Sequence, residues 1–170
     1  MPSADVAVSV DGDDAKFSAI EASGPWPETP HVGRLGDNPG FLAARYSFFA
    51  ASIANQTLAE FGLRTRAYSL LELATTGDGM SQGQIGRILC LDKSHIVRLV
   101  DDLVGEGLVG RYKDVRDGRV AIVRATPAGR ELAERCAAAL SDAYLTMFQG
   151  LSEADRQDAL RVLRMLGLRF

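Results

Sequence analysis

The sequence predicts a mainly α fold of about six helices carrying one short hairpin of two or three strands. Three observations support this. Between Met80 and Thr126, two runs of helical apolar spacing are separated by a short break and followed by β-rich runs around the charged string DVRDGR. On both sides of that stretch, apolar residues recur at helical intervals. Capping residues, Gly and Pro stand where those helices need to begin and end.

Taken in order, Pro39 suits a first helical turn. Phe41, Leu42, Arg45, Tyr46, Phe49, Ile53 and Leu58 then give a mostly apolar helix face to about Phe61. Gly62 to Arg64 breaks the pattern, and Thr65 is expected to cap a second helix holding Tyr68, Leu70, Leu71 and Leu73 to Ala74. Residues 75–80 read as a polar, Gly-rich loop. Ser81 with Gln84 three residues on predicts a capping box, and Asp92 is a good cap for a helix from about Lys93 to Gly105. In that helix Ile96, Leu99, Val100 and Leu103 mark the buried stripe, whereas Ser94, Arg98, Asp101 or Asp102, and Gly105 face outward. Gly105 to Gly107 ends it, and Leu108–Tyr112 pairs with Val120–Val123. Thr126 caps and Pro127 opens a long helix to about Gln149. After Gly150, Ser152 with Asp155 starts a last helix to about Leu166. No internal repeat is evident.

Bulk properties bound the function. With 170 residues, 46% hydrophobic and 24% charged, the chain has the make-up of a globular domain with a real core. No apolar run reaches membrane-spanning length and no basic-then-apolar leader opens the sequence, so the expectation is a cytoplasmic protein. Two cysteines, Cys90 and Cys136, give neither a disulfide framework nor a zinc cluster, so no metal site is expected. Residues 1–38 carry seven acids against Lys16 and Arg34 and read as an acidic, largely disordered extension. Within it, Trp26 between two prolines is the one residue suited to docking. Residues 87–130 carry nine bases against six acids. The overall charge of −3 therefore does not oppose a polyanionic partner, because phosphate contact needs local charge. Neither His31 nor His95 has a nucleophile partner in the pattern, and no phosphate loop or dinucleotide fingerprint appears. The reading is not an enzyme, and no cofactor is called for.

Two helices around a short turn form a unit whose second helix can enter a DNA major groove. Arg111, Lys113, Arg116, Arg119 and Arg124 on or beside the hairpin can reach a phosphate backbone or a minor groove.

The run DKSHIVRLVDDLVGEGLVGRYKDVRDGRVAIVRATPAGREL resembles the core of the MarR family of bacterial transcription regulators. The resemblance extends more weakly over about Leu63 to Phe170 and leaves out the tail before Asn38. Its most specific piece is Asp-x-Arg-x-x-Arg, met by Asp114, Arg116 and Arg119, followed by Thr-Pro-x-Gly-Arg at Thr126 to Arg130. What the resemblance implies is a winged helix-turn-helix at about 63–126, with residues 39–170 as one domain. Helices at about 39–61 and 127–168 would pair two copies, and the homodimer would bind near-palindromic double-stranded DNA. It places Ser94, His95 and Arg98 in the major groove, with Ser81, Gln82 and Lys93 beside them. Arg111, Lys113 and Arg119 complete the contact set, and Arg116, oriented by Asp114, enters the minor groove. The sequence departs from the family pattern at Val97, Asp102, Val104, Gly110 and Gly118.

A repressor released by a small aromatic or anionic effector is the function this resemblance implies. Arg45, Tyr46, Phe49 and Tyr68 can supply a cation and aromatic walls for it, although the same residues also read as plain core. Cys90, after Ile88 and Leu89, suits a small buried hydrophobe, with a redox-responsive thiol as the other reading. The competing functional class is a winged-helix module that binds another protein and not DNA.

Overall fold

A computed structural model of the chain describes residues 32–114 and 117–168. Residues 1–31, with Trp26, His31 and most of the acidic extension, lie outside the described residues, as does Arg116. The chain divides into two compact units, residues 1–48 and 49–170, with the first helix running from one into the other.

In the first unit a 3-10 turn, Gly33–Asp37, leads into helix α1, Pro39–Ala59. Asn38 caps α1 by accepting from the Phe41 amide at 2.9 Å, and Pro39 follows as the sequence predicts. Leu35, Leu42 and Tyr46 are exposed, and none of residues 32–48 is buried.

The second unit contains the end of α1 and then, in order, α2 (Thr65–Thr75), β1 (Met80–Ser81), α3 (Gln82–Leu89), α4 (Lys93–Gly105), β2 (Val109–Lys113), β3 (Ala121–Ala125), α5 (Pro127–Leu145) and α6 (Glu153–Gly167). Its core is one cluster: Ala54 and Leu58 of α1, Leu70, Leu71 and Ala74 of α2, Ile85 of α3, Ile96, Val100 and Leu103 of α4, Val109 and Val123 of the sheet, and Ala133, Cys136 and Leu140 of α5. These are the periodic positions of each helix, so burial of the apolar stripes holds the elements together.

The sheet is antiparallel in the order β1-β3-β2, with Arg111 opposite Val123 and Met80 opposite Val123 from the other side. Met80, expected in a loop, therefore supplies the third strand, too short at two residues to show an alternating pattern.

Three local details differ from the sequence-based expectation. Thr65 does not cap α2; the Asn55 side chain reaches across from α1 and takes both the Thr65 amide and hydroxyl at 2.9 Å. A tertiary partner thus fills the role that a local residue was expected to play. α5 ends at Leu145 and tightens into a 3-10 turn at Thr146–Phe148, four residues before the expected end at Gln149. Cys90 is exposed rather than buried. It is the C-cap of α3 in a left-handed conformation (φ 52°), which turns its side chain away from the apolar stripe it follows in sequence.

The Thr-Pro-x-Gly-Arg string explains itself structurally. Thr126 caps α5 through Gly129 N at 3.0 Å, and its hydroxyl donates to Gly107 O at 2.8 Å. Gly129 packs so close to the Leu108 carbonyl that a Cβ would collide with it. Arg130 donates to Thr75 O at 2.9 Å, closing the end of α2. One short motif thus joins α2, the exit of α4 and the start of α5.

Candidate nucleic-acid interface

The turn between α3 and α4 is built from backbone. Ser81 and Gln84 form the expected capping box, with Gln84 N to Ser81 Oγ at 3.2 Å and Ser81 N to Gln84 Oε1 at 2.9 Å. At the other end of α3, Leu91 N donates to Gly86 O at 3.0 Å. Gly86 sits against the Leu91 carbonyl and Ile96, so the two helices approach closely there.

Asp92 then starts α4. Its Oδ1 accepts from Ser94 N at 2.9 Å, His95 N at 3.0 Å and the Ser94 hydroxyl at 2.6 Å. Its Oδ2 lies 2.6 Å from His95 Nδ1. The Ser94 hydroxyl, the His95 amide and the His95 ring together hold this carboxyl well below the usual range, so it stays ionised. With Ile96, Val100 and Leu103 locked in the core, α4 presents Lys93, Ser94, Val97, Arg98, Asp101 and Asp102 to solvent.

The hairpin lies beside this helix. Arg111, on β2, forms an ion pair with Asp101 of α4 at 2.6 Å. Arg124, on β3, donates to Asp78 O at 2.9 Å and stacks over Tyr112 at 5.1 Å, so it braces the sheet. At the tip, Val120 N donates to Asp117 O at 2.9 Å and Arg119 N to Asp117 Oδ1 at 3.0 Å. Lys113 and Arg119 are exposed, and Asp114 accepts from Asp117 N at 3.3 Å.

Of the residues expected to meet DNA, Ser81, Gln82, Lys93, Ser94, His95 and Arg98 therefore fall on the two helices. Arg111, Lys113, Asp114 and Arg119 fall on the hairpin. Arg98, Lys93, Lys113 and Arg119 are solvent-facing, whereas Ser94, His95 and Arg111 are engaged by Asp92 or Asp101. Sequence reasoning missed Arg87, exposed on α3 beside an open groove of about 470 Å3 between α3 and α4.

The effector candidates divide between the units, with Arg45 and Tyr46 in the first and Phe49 and Tyr68 in the second. Burial raises the Tyr46 phenol. Burial, then the nearby Glu72, pushes Tyr68 up to about 12. Among the described residues no cluster of His, Cys, Asp or Glu is suited to a metal ion, and no helix is long and apolar enough to cross a membrane.

Comparison with known proteins bears on this geometry. Residues 63–121 match the model of the MarR family. A MarR-family transcriptional regulator from Rhodococcus sp. RHA1 is 32% identical, with a TM-score of 0.75 over 80% of this chain and 96% of that one. CouR from Rhodococcus jostii RHA1, solved with p-coumaroyl-CoA, is 33% identical, with a TM-score of 0.72 over 80% and 96%. MepR of S. aureus, solved in complex with DNA, is 25% identical, with a TM-score of 0.62 over 75% and 96%. Among curated proteins, a Thauera aromatica protein assigned as transcriptional regulator for the hcr operon is 27% identical over 105 residues. That match spans 62% of this chain and 63% of the relative's length. The hairpin beside α4 is thus the wing of a winged helix-turn-helix, and the chain belongs to the MarR family of transcriptional regulators.

Proposed function

We propose that the chain is a homodimeric, sequence-specific DNA-binding repressor that leaves a near-palindromic operator when a small aromatic or anionic ligand binds. The observation that carries this is α4. Ile96, Val100 and Leu103 are committed to the core, and its polar side, with Arg98 and Lys93, stays open beside an exposed cationic wing. Arg98 is suited to bond guanine O6 and N7 together, and Val97, at 37% exposure, suits contact with a thymine methyl. Lys113 and Arg119 serve phosphates or the minor groove, as does Arg116 by its place in the wing motif.

For the effector, the CouR relative bound to an aromatic acyl-thioester supports the same ligand class here. Of the candidates named from the sequence, Phe49 and Tyr68, both in the second unit, are the residues assigned to it. Release requires that the ligand prefer a form of the dimer that DNA does not.

A gel shift against the DNA flanking the protein's own gene, run over a salt series and with phenolic acids and p-coumaroyl-CoA, tests the reading. The expected result is a shift that weakens steeply with salt and is reversed by one ligand of the panel. No shift even at low salt would transfer the exposed face to a protein partner.

A further inference from the structure

We infer that Tyr112 and Arg124 are positioning residues of the wing: stacked over Gly110 and tied to the loop ahead of α3, they fix how the wing leans and so how its tip cations meet DNA. This rests on the DNA-binding reading above and adds to it the device that aims the wing. The sheet is held unevenly. Side chains alternate between its faces, and Val109, Val123 and Ala125 fix the inner one in the core. β1 pairs with β3 only opposite Ile122 and Val123. Beyond Ile122 the wing is therefore a two-stranded ribbon, a form whose twist is large and variable. Lys113 and Arg119 lie on that part.

On the outer face Gly110 stands opposite Arg124, and Tyr112 opposite Ile122. The Tyr112 ring folds back over Gly110, where a Cβ would stand 2.8 Å from the Tyr112 hydroxyl oxygen and 2.9 Å from its Cε2. The Arg124 guanidinium lies 5.1 Å from the centre of the same ring, and its Nε donates to Asp78 O at 2.9 Å. Asp78 leads through Gly79 and Met80 to Ser81, the cap of α3. One stack thus joins the wing to the start of α3 on the side away from the core. Each residue is a poor choice by itself. Glycine inside a strand weakens it, and a cation held by a carbonyl is withheld from phosphate. An exposed stack adds little to global stability. Aiming the ribbon accounts for all three.

Gly110→Ala cuts the stack and alters no charge, because the new Cβ meets the free end of the Tyr112 ring rather than backbone. Tyr112→Ala removes the ring, and Tyr112→Phe keeps it. Proton NMR of the free protein reads the stack as a ring-current shift of the Gly110 α protons, expected in the wild type and Tyr112→Phe and absent from Tyr112→Ala. On a duplex selected by the wild type, Gly110→Ala and Tyr112→Ala should each bind about three- to tenfold more weakly, with a salt slope lower by about one contact per subunit. Hydroxyl-radical protection should be lost only where the wing meets the duplex. The double variant should lose no more than either single one, since both cut the same link. Tyr112→Phe should bind as the wild type does, and the Gly110→Ala melt should not fall.

A wild type without the ring-current shift overturns the inference whatever the DNA result. So does Tyr112→Ala with unchanged affinity and protection. A melt that falls in step with binding in both variants also overturns it, since the stack is then a structural contact only. A wild type that selects no duplex defeats the DNA-binding reading, and does so before any variant is made. The two failures are therefore told apart.

Discussion

Helices α4 and α6 are both amphipathic, and the second unit treats them in opposite ways. α4 buries Ile96, Val100 and Leu103 completely enough that its other face is all that remains for a partner. α6 carries Ala159, Val162, Leu163 and Leu166 at the same helical spacing, yet Val162, Leu163 and Leu166 are 42%, 36% and 58% exposed. Its polar side is tied up locally, with Arg156 on Glu153 and Arg161 on Asp158. A helix whose apolar side is satisfied advertises its polar side; one whose apolar side is open calls for a second surface. We assign that surface to a second copy of the chain, so that α4 reads and α6 pairs.

The largest expected effect comes from breaking the pairing. Leu163→Asp with Leu166→Asp places two charges on the open stripe of α6 and replaces no buried residue. Sedimentation should show a monomer, and operator affinity should fall by roughly two orders of magnitude or more, since two half-sites no longer act together. A dimer of unchanged affinity would reassign the stripe.

Next comes the joint between α4 and α5. Gly129→Ala forces a Cβ against the Leu108 carbonyl and should cost about 1–3 kcal/mol of stability, read by denaturant or thermal melts. Arg98→Ala should cost about 1–3 kcal/mol in DNA binding and relax preference at one base pair, leaving the melt unchanged. The pair of variants separates what holds the helix from what the helix offers.

The smallest effect sharpens the reading face itself. Asp101 holds Arg111 at 2.6 Å on the surface, so Asp101→Asn frees a cation and removes an anion. Affinity should rise a few-fold, with a steeper salt dependence by about one phosphate contact per subunit. A loss of affinity would show that Arg111 must be held by Asp101 to make its contact.

Much of this was legible in the sequence because the deciding signals were local. Ser81 with Gln84, Asp92, Thr126 before Pro127, and Ser152 with Asp155 each cap the helix that their spacing announces. The buried stripe of α4 likewise falls where periodicity places it. What escaped depends on residues distant in the chain. Asn55 caps α2 from ten residues upstream, a partnership no window of local spacing contains. Cys90 looked buried because it follows Ile88 and Leu89, yet a left-handed C-cap breaks the helical phase on which that expectation relied. Ile88 itself is 54% exposed, so the apolar run there was not a core stripe at all. In the site, the wing cations were countable, but not the fact that Arg111 and Arg124 are spent on Asp101 and Asp78. Opposite charges in one sequence do not declare their pairings.

The most direct test of the account is the spacing rule that a symmetric pair of α4 helices imposes. In a duplex selected by the protein, the two half-sites should repeat about one helical turn apart. Inserting roughly half a turn, about five base pairs, between them should abolish high-affinity binding, and a full turn should restore part of it only if the dimer can stretch. An affinity indifferent to the half-turn insertion would contradict two helices held in register by one dimer.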